Sequence, residues 1–438
     1  MDKQKHYDEE VVLQKVPGIR RQQLPNLKAH LYKQLLKSLR QKPMNIDAEM
    51  QLHEQMDFAK LLYNKGLYKQ ALKTLGKGKD MARQYRKQLI QLEIIEFEKL
   101  IELQYITRST SDRAAQLVEE SEAINRQIGE AGSYSNLALQ LYDYYLKRGH
   151  VKSTADLEAL RARFDEDLQR AGERACKAFF GRLHLYQAYV WYHYIAQDFL
   201  ACYKYAQKWV ALFHDTPDML NFHPDIYLKG VHNLLSTLYR LGHFSKFTAV
   251  LHELEEMYAS GRIPVTRNNE MRYRLYFYTH LMNLHFLKGT FTEGLRLIKQ
   301  VEAFLQEYRP YLDAHRIMVF YFKIASMYFG SGEYHQAVRY LNRILQEREL
   351  SLRRDIQVYA HLLNLITHFE LGNEELIEYQ VKSTYRFLAK LQDNSRHTRY
   401  ILAFLRKLSD IRRRDLEGEF HKLHYQLMEI KQDPYEKR

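Results

Sequence analysis

Two cysteines, Cys176 and Cys202, cannot build a disulfide framework, and their spacing does not fit a zinc site. They read as small buried apolar residues. No apolar run approaches the ~18 residues of a membrane span. The opening from Met1 to Glu10 is charged where a secretory signal would carry an apolar core, so the expected location is the cytoplasm. Prolines are few. Pro17, Pro25 and Pro43 come early, Pro217, Pro224, Pro264 and Pro310 fall between helix-period runs, and Pro434 follows the last of them, so no helix needs a proline in its interior.

Enzyme signatures are also missing. Gly76-Lys77-Gly78-Lys79 has no strand before it and lacks the Gly-x4-Gly-Lys-Ser/Thr spacing of a phosphate loop. His252-Glu253-Leu254-Glu255-Glu256 lacks the second histidine, one turn on, that a zinc-binding helix needs to place two ligands on one face. His421 and His424 are three apart on the last helix, where solvated neighbours are the simpler reading. The expectation is a protein without catalytic residues, cofactor or metal.

What is present is an ordinary soluble composition, 46% hydrophobic and 27% charged, with 34 tyrosines whose apolar bodies and polar tips suit half-wet seams. The net charge of +13 is partly gathered: basic residues dominate from Lys60 to Lys87 and return through Arg406, Lys407, Arg412, Arg413 and Arg414. The other strong signal is a recurring phrase of a turn residue, an aromatic two later and a small residue three after that. It reads Gly66-Leu67-Tyr68-Lys69-Gln70-Ala71, Gly289-Thr290-Phe291-Thr292-Glu293-Gly294 and Gly332-Glu333-Tyr334-His335-Gln336-Ala337, with a shorter form in Gly242-His243-Phe244. Each copy lies between two helix-period runs and predicts the turn of a helical hairpin, which buries its apolar face only by stacking on its neighbours. Hairpins are predicted around Gly66, Thr110, Gly149, Gln197, Gly242, Gly289, Gly332 and Gly372, about 40 to 48 residues apart. The fold class is all-α, an α-solenoid of about eight antiparallel hairpins.

The stretch from Ala325 to Leu341 carries a small residue seven before the turn, an aromatic four before it, and the glycine–aromatic–alanine phrase after it; Ala59 to Leu75 is the next best match. These residues resemble the tetratricopeptide repeat family. The resemblance implies a right-handed superhelix over residues 46–390, preceded by an arm and amphipathic helix in 1–45 and followed by capping helices and a basic tail in 391–438. In that helix Leu27, Leu31, Leu35 and Leu39 share one side. The family's repeat is shorter than the spacing here, so longer helices or wider loops are expected.

The resemblance also implies that the first helix of each hairpin lines a concave groove. Three residues before the turns stand Tyr63, Tyr194, Tyr239, Phe286, Phe329 and Phe369, with Leu146 as the exception. Upstream come Trp191, Ser236, Asn283 and Ser326, then Gln187, His232 and Thr279. Aromatic area interleaved with amides and hydroxyls suits a peptide, although the same aromatics can pack between repeats. The family's lysine–asparagine clamp for a C-terminal carboxylate is not matched, because Thr279 rather than a lysine precedes Asn283 by one turn. His193, His285 and His368 each lie four residues before a turn, which argues for equivalent packing. Lys69, Lys73 and Lys77 fall opposite the apolar arc of their helix and read as a solvated ridge, or as a contact for phosphate or an acidic partner.

The leading functional expectation is a non-enzymatic scaffold or adaptor that holds a peptide or helix of another protein. The second is a nucleic-acid-binding helical array that uses the basic patches. The third is a sensor or regulator whose effector activity resides in a partner.

Overall fold

Seven tight turns share one backbone device. Gly66, Gly149, Gly242, Gly289, Gly332 and Gly372 all adopt the left-handed conformation, with φ between +66° and +82°, and Gln197 joins them at +61°. Only glycine enters that region without a Cβ penalty. At Gly66, Gln197, Gly242, Gly289, Gly332 and Gly372 the next residue donates its N–H to the carbonyl five before it, as in Leu67 to Leu62, Asp198 to His193 and Glu333 to Tyr328. The last free carbonyls of the helix are thereby satisfied, and the chain reverses within three residues.

The structure, a computed structural model, describes residues 9–16, 18, 20–41, 48–104, 112–173, 178–346, 354–391, 396–407, 415–430 and 433. Among these residues there are helices and turns but no strand. The turn predicted at Thr110, together with Cys176 and Pro17, Pro43 and Pro434, lies outside them. The chain forms two compact units, Met1–Asn125 and Arg126–Arg438.

In the first unit, α1 (Glu9–Lys15) is followed by α2 (Leu24–Gln41), whose second residue is Pro25, inside the first turn where proline is tolerated. The arm is thus partly helical, with Glu9 and Glu10 in the first turn of α1 and bonded to Lys28 and Arg21. The apolar side of α2 is largely uncovered at Leu27, Leu31, Tyr32, Leu36 and Leu39. Then come α3 (Ala48–Asn64), α4 (Tyr68–Gln84) and α5 (Gln88–Gln104), packed around Leu52, Ala59, Ala71, Leu75, Ile90, Ile94 and Ile101. The α4–α5 turn uses Arg86 in the left-handed region at φ +52°, so the glycine signal misses it.

The next helix, α6 (Arg113–Arg148), contains the division between the units. The sequence reading places two helices between Thr110 and Gly149; the structure has one helix of 36 residues. With no proline in the stretch, Gly129 and Gly132 alone do not stop it.

The second unit continues with α7 (Thr154–Glu173), α8 (Phe179–Ile195), α9 (Phe199–His214), α10 (Asp218–Phe222), α11 (Pro224–Leu241), α12 (Phe244–Ala259), α13 (Arg267–Lys288), α14 (Phe291–Gly294), α15 (Ile298–Tyr308), α16 (Ala314–Gly330), α17 (Tyr334–Leu345), α18 (Arg354–Glu370), α19 (Glu374–Leu391), α20 (Arg396–Lys407) and α21 (Leu416–Ile430). Neighbours such as α8 and α9, α11 and α12, and α16 and α17 pack as hairpins, and α11 packs on α13, α13 on α16, and α16 on α18. Pro224 opens α11, while Asp198, Thr266 and Asp313 cap α9, α13 and α16 by accepting a backbone N–H.

The small residue five after the turn marks close crossings at Ala71, Cys202, Gly294 and Ala337, all buried. A Cβ on Gly294 would stand 2.5 Å from Met327 Sδ, and one on Gly330 would meet the Phe291 ring at 2.4 Å. Ala115 and Thr154 break the rule and are exposed, whereas Phe247 and Ile377 are bulky yet buried. The Cys202 thiol, pushed up to about 11 by burial, is an inert packing group.

Candidate functional site

The aromatics of the recurring phrase meet across their turns. Tyr63 lies 5.4 Å from Tyr68, Tyr194 6.2 Å from Phe199, Phe286 6.2 Å from Phe291, and Phe329 5.5 Å from Tyr334, ring centre to ring centre. Each pair joins the residue three before a turn to the residue two after it, so both halves of the aromatic signal plug the hairpin end. The rings remain partly exposed. Tyr239 is likewise half-buried, beside Phe247.

The three equivalent histidines also serve the turns. His285 Nδ1 lies 2.8 Å from Thr290 Oγ1, Asn373 Nδ2 donates to His368 Nδ1 at 3.1 Å, and His193 faces Asp198 at 3.5 Å. In every case the partner is the residue five on, which also closes the backbone reversal. The packing reading holds, but the bond is made within the turn rather than across a seam.

Other groove candidates are less free than the sequence implies. Thr279 donates to Leu275 O and Ser326 to Phe322 O on their own helices. Gln187 Oε1 pairs with His184 Nδ1 at 2.9 Å, while Trp191 packs among Tyr142, Tyr145 and Tyr194. Ser236 is half-buried on α11.

The remaining candidates, His232 and Asn283, belong to a polar chain that crosses three helices. Lys323 on α16 donates to Asn283 Oδ1 on α13 and lies 5.3 Å from the centre of the Phe286 ring. This bond turns the Asn283 amide so that Nδ2 donates to His280 Nδ1 at 3.4 Å. A neutral His280 then carries its proton on Nε2, which donates to His232 Nδ1 on α11 at 2.9 Å. His232 in turn keeps its proton on Nε2. His280 is completely buried, and burial together with Lys323 holds it down at about 3; burial and then the charge of Lys229 keep His232 well below the usual imidazole range. The His232 ring stacks on Tyr276 at 4.3 Å.

Around this relay stand four cations, of which Arg316 has an acid partner. Lys229 lies 5.9 Å from the Tyr276 ring centre, and burial, then the charges of Arg316 and Arg272, lower it to about 8. Burial lowers Lys323 to about 8. Among the described residues neither lysine has a carboxylate partner. Arg316 is paired at 3.3 Å with Asp313, which caps the same helix, and the Nε of Arg272 is buried without a hydrogen-bond acceptor. None of Lys229, Arg272, Arg316 and Lys323 stands out in the sequence, since each alone reads as a solvated cation.

The basic stretch of the first unit behaves differently. Lys69, Lys73 and Lys77 are exposed, as expected. Lys79 is buried and bonds Glu98 at 2.6 Å and Glu120 at 3.1 Å; Arg83 also reaches Glu120, Arg113 reaches Glu98, and Lys87 reaches Glu49. Lys79, Arg83, Glu98, Arg113 and Glu120 line a cavity of about 330 Å³ together with Leu72, Gly76, Asp80 and Glu102. Burial alone would raise Glu120, but the Lys79 hydrogen bond and the charges of Lys79, Arg83 and Arg113 hold it below the usual carboxylate range. Gly76-Lys77-Gly78-Lys79 is mid-helix, with its last lysine neutralised by acids, so it is not a phosphate loop.

Among the described residues no group of three potential ligands could hold a metal ion, and no helix is long and apolar enough to cross a membrane. His421 is exposed and faces Glu417. Comparison with protein-family models finds no matching family, and comparison with curated proteins finds no matching relative.

Proposed function

We propose that this chain is a non-enzymatic, cytoplasmic scaffold, a right-handed tetratricopeptide-like solenoid that holds a peptide segment or helix of another protein against the first helices of its hairpins. One observation carries the reading. His232 on α11, His280 and Asn283 on α13, and Lys323 on α16 join side chain to side chain. Three successive first helices are therefore joined, and they carry the partly exposed rings of Tyr239, Phe286 and Phe329, with Lys323 beside the Phe286 ring. Rings supply contact area at low entropic cost, and donors satisfy the carbonyls of an extended chain.

The exposed ridge of Lys69, Lys73 and Lys77 supports nucleic-acid binding as a second reading. A pull-down from the native organism separates the two. With Tyr239, Phe286 and Phe329 all replaced by Ala, the bound partner is lost while circular dichroism stays helical; with Lys69, Lys73 and Lys77 replaced by Glu, it is retained. The reverse pattern rejects the wall and favours the ridge.

A further inference from the structure

The relay on the wall ends in donors. Lys323 fixes Asn283, Asn283 fixes His280, and His280 fixes His232 so that its remaining proton is on Nε2. Among the described residues no protein group accepts from that nitrogen. Near it stands Lys229, which has no carboxylate partner among the described residues, and near Lys229 stands Arg272, which reaches Tyr276 but whose Nε is buried without an acceptor. Arg316 is already half compensated by Asp313. Asp225 is close enough to act on Tyr276, yet it makes no ion pair with Lys229. A half-buried wall on which His232 Nε2, Lys229 Nζ and Arg272 Nε have no acceptor among the described residues is suited to an anion.

We propose that this cluster binds the phosphate dianion of a phosphorylated side chain in the peptide partner, with Lys229, Arg272, Arg316 and His232 donating to its oxygens. The proposal rests on the peptide reading above. A single carboxylate would leave most of the positive charge uncompensated, whereas a dianion offers two charges and three acceptor oxygens. Arginine matches phosphate geometry through its planar fork, and the partly exposed ring of Phe286 beside Lys323 suits the backbone beside the modified residue. Burial, and then the charges of Arg316 and Arg272, hold Lys229 down, so phosphate binding should draw a proton onto it at pH 8.

The test uses the full chain and three probes: inorganic phosphate, a degenerate peptide library centred on phosphoserine with its unphosphorylated twin, and an oligouridine RNA. Calorimetry should show saturable phosphate binding, with proton uptake at pH 8. The Lys229→Ala, Arg272→Ala double variant should weaken it at least tenfold, while Lys73→Glu leaves it unchanged. The phosphoserine library should be retained at least tenfold better than its twin. Should the double variant fold poorly, Lys229→Met alone, with wild-type circular dichroism, gives the same comparison. Phosphate binding that is absent, or undiminished in these variants, overturns the proposal; if both libraries are then retained equally, the peptide reading survives it. Phosphate captured at the cluster with neither library retained rejects the peptide source. Oligouridine binding tighter than the phosphoserine library, and lost in the same variants, rejects it in favour of nucleic acid.

Discussion

His232 and His280 are 48 residues apart in the chain and 2.9 Å apart in space, on helices α11 and α13, and each ring is held neutral by what surrounds it. In the unfolded chain both imidazoles protonate near pH 6.5; in the folded chain His280 does so only at about 3. The unfolded state therefore binds more protons throughout that window, and stability falls as pH is lowered through it. A loss on the order of 1–2 kcal/mol per imidazole is expected between pH 7 and pH 5. Urea unfolding across this range checks it, and His280→Leu should flatten the slope. A wild-type midpoint that does not move would contradict the buried neutral pair.

Lys229 and Lys323 make the opposite end of the pH scale informative. Both lose their proton at about 8 in the folded chain but near 10.5 when unfolded, so the unfolded state binds more protons above pH 8 and stability contributed by the cluster rises towards pH 10. Lys229→Met removes an unpaired cation and keeps the apolar stem. It should stabilise the protein at pH 7 by about 1–3 kcal/mol while weakening anion binding. Thermal melts of the variant in low-salt buffer provide the measurement.

Glu98 carries a different risk. It is almost fully buried against Lys79 and also reached by Arg113, so Glu98→Ala leaves the buried ammonium only Glu120 and takes a partner from Arg113, and should cost about 3 kcal/mol. Lys79→Met combined with Glu98→Leu should recover most of that loss, because the isostere has no charge to desolvate. Lys73→Glu, on the exposed ridge, should stay within about half a kcal/mol of wild type. Equal destabilisation by Glu98→Ala and Lys73→Glu in guanidinium titrations would refute this assignment.

The close crossings predict a size limit. Ala337 is fully buried, and Gly330 leaves room for the Phe291 ring, which a Cβ would meet at 2.4 Å. Ala337→Trp and Gly330→Ala should each destabilise by ~1–3 kcal/mol or more, because neither crossing can widen without moving a helix. Gly294→Ala should cost less, because its nearest neighbour is the flexible end of Met327. A melting series across the three variants would show whether this order holds.

The sequence by itself determined the hairpin ends. A glycine followed two residues later by an aromatic is a local signal: left-handed φ and a ring that plugs the turn depend on neighbours within about five residues, so Gly66, Gly289 and Gly332 were readable one at a time. The turn at Arg86 was not, because its left-handed residue is not a glycine. Nor was the continuity of the helix Arg113–Arg148, since weak helix interruption by Gly129 and Gly132 is decided by the packing of the whole helix. Of the candidate site, the sequence marked the aromatics and the amide on the first helices but gave no sign that the hydroxyls of Thr279 and Ser326 turn back to their own backbone. Tertiary structure alone decided that Lys79 is buried among acids while Lys73, six residues before it, faces solvent. It also decided that Lys229, Arg272, Arg316 and Lys323 share one wall. Charge along a chain is additive, but desolvation and repulsion depend on distances that only the stacking of α11, α13 and α16 sets.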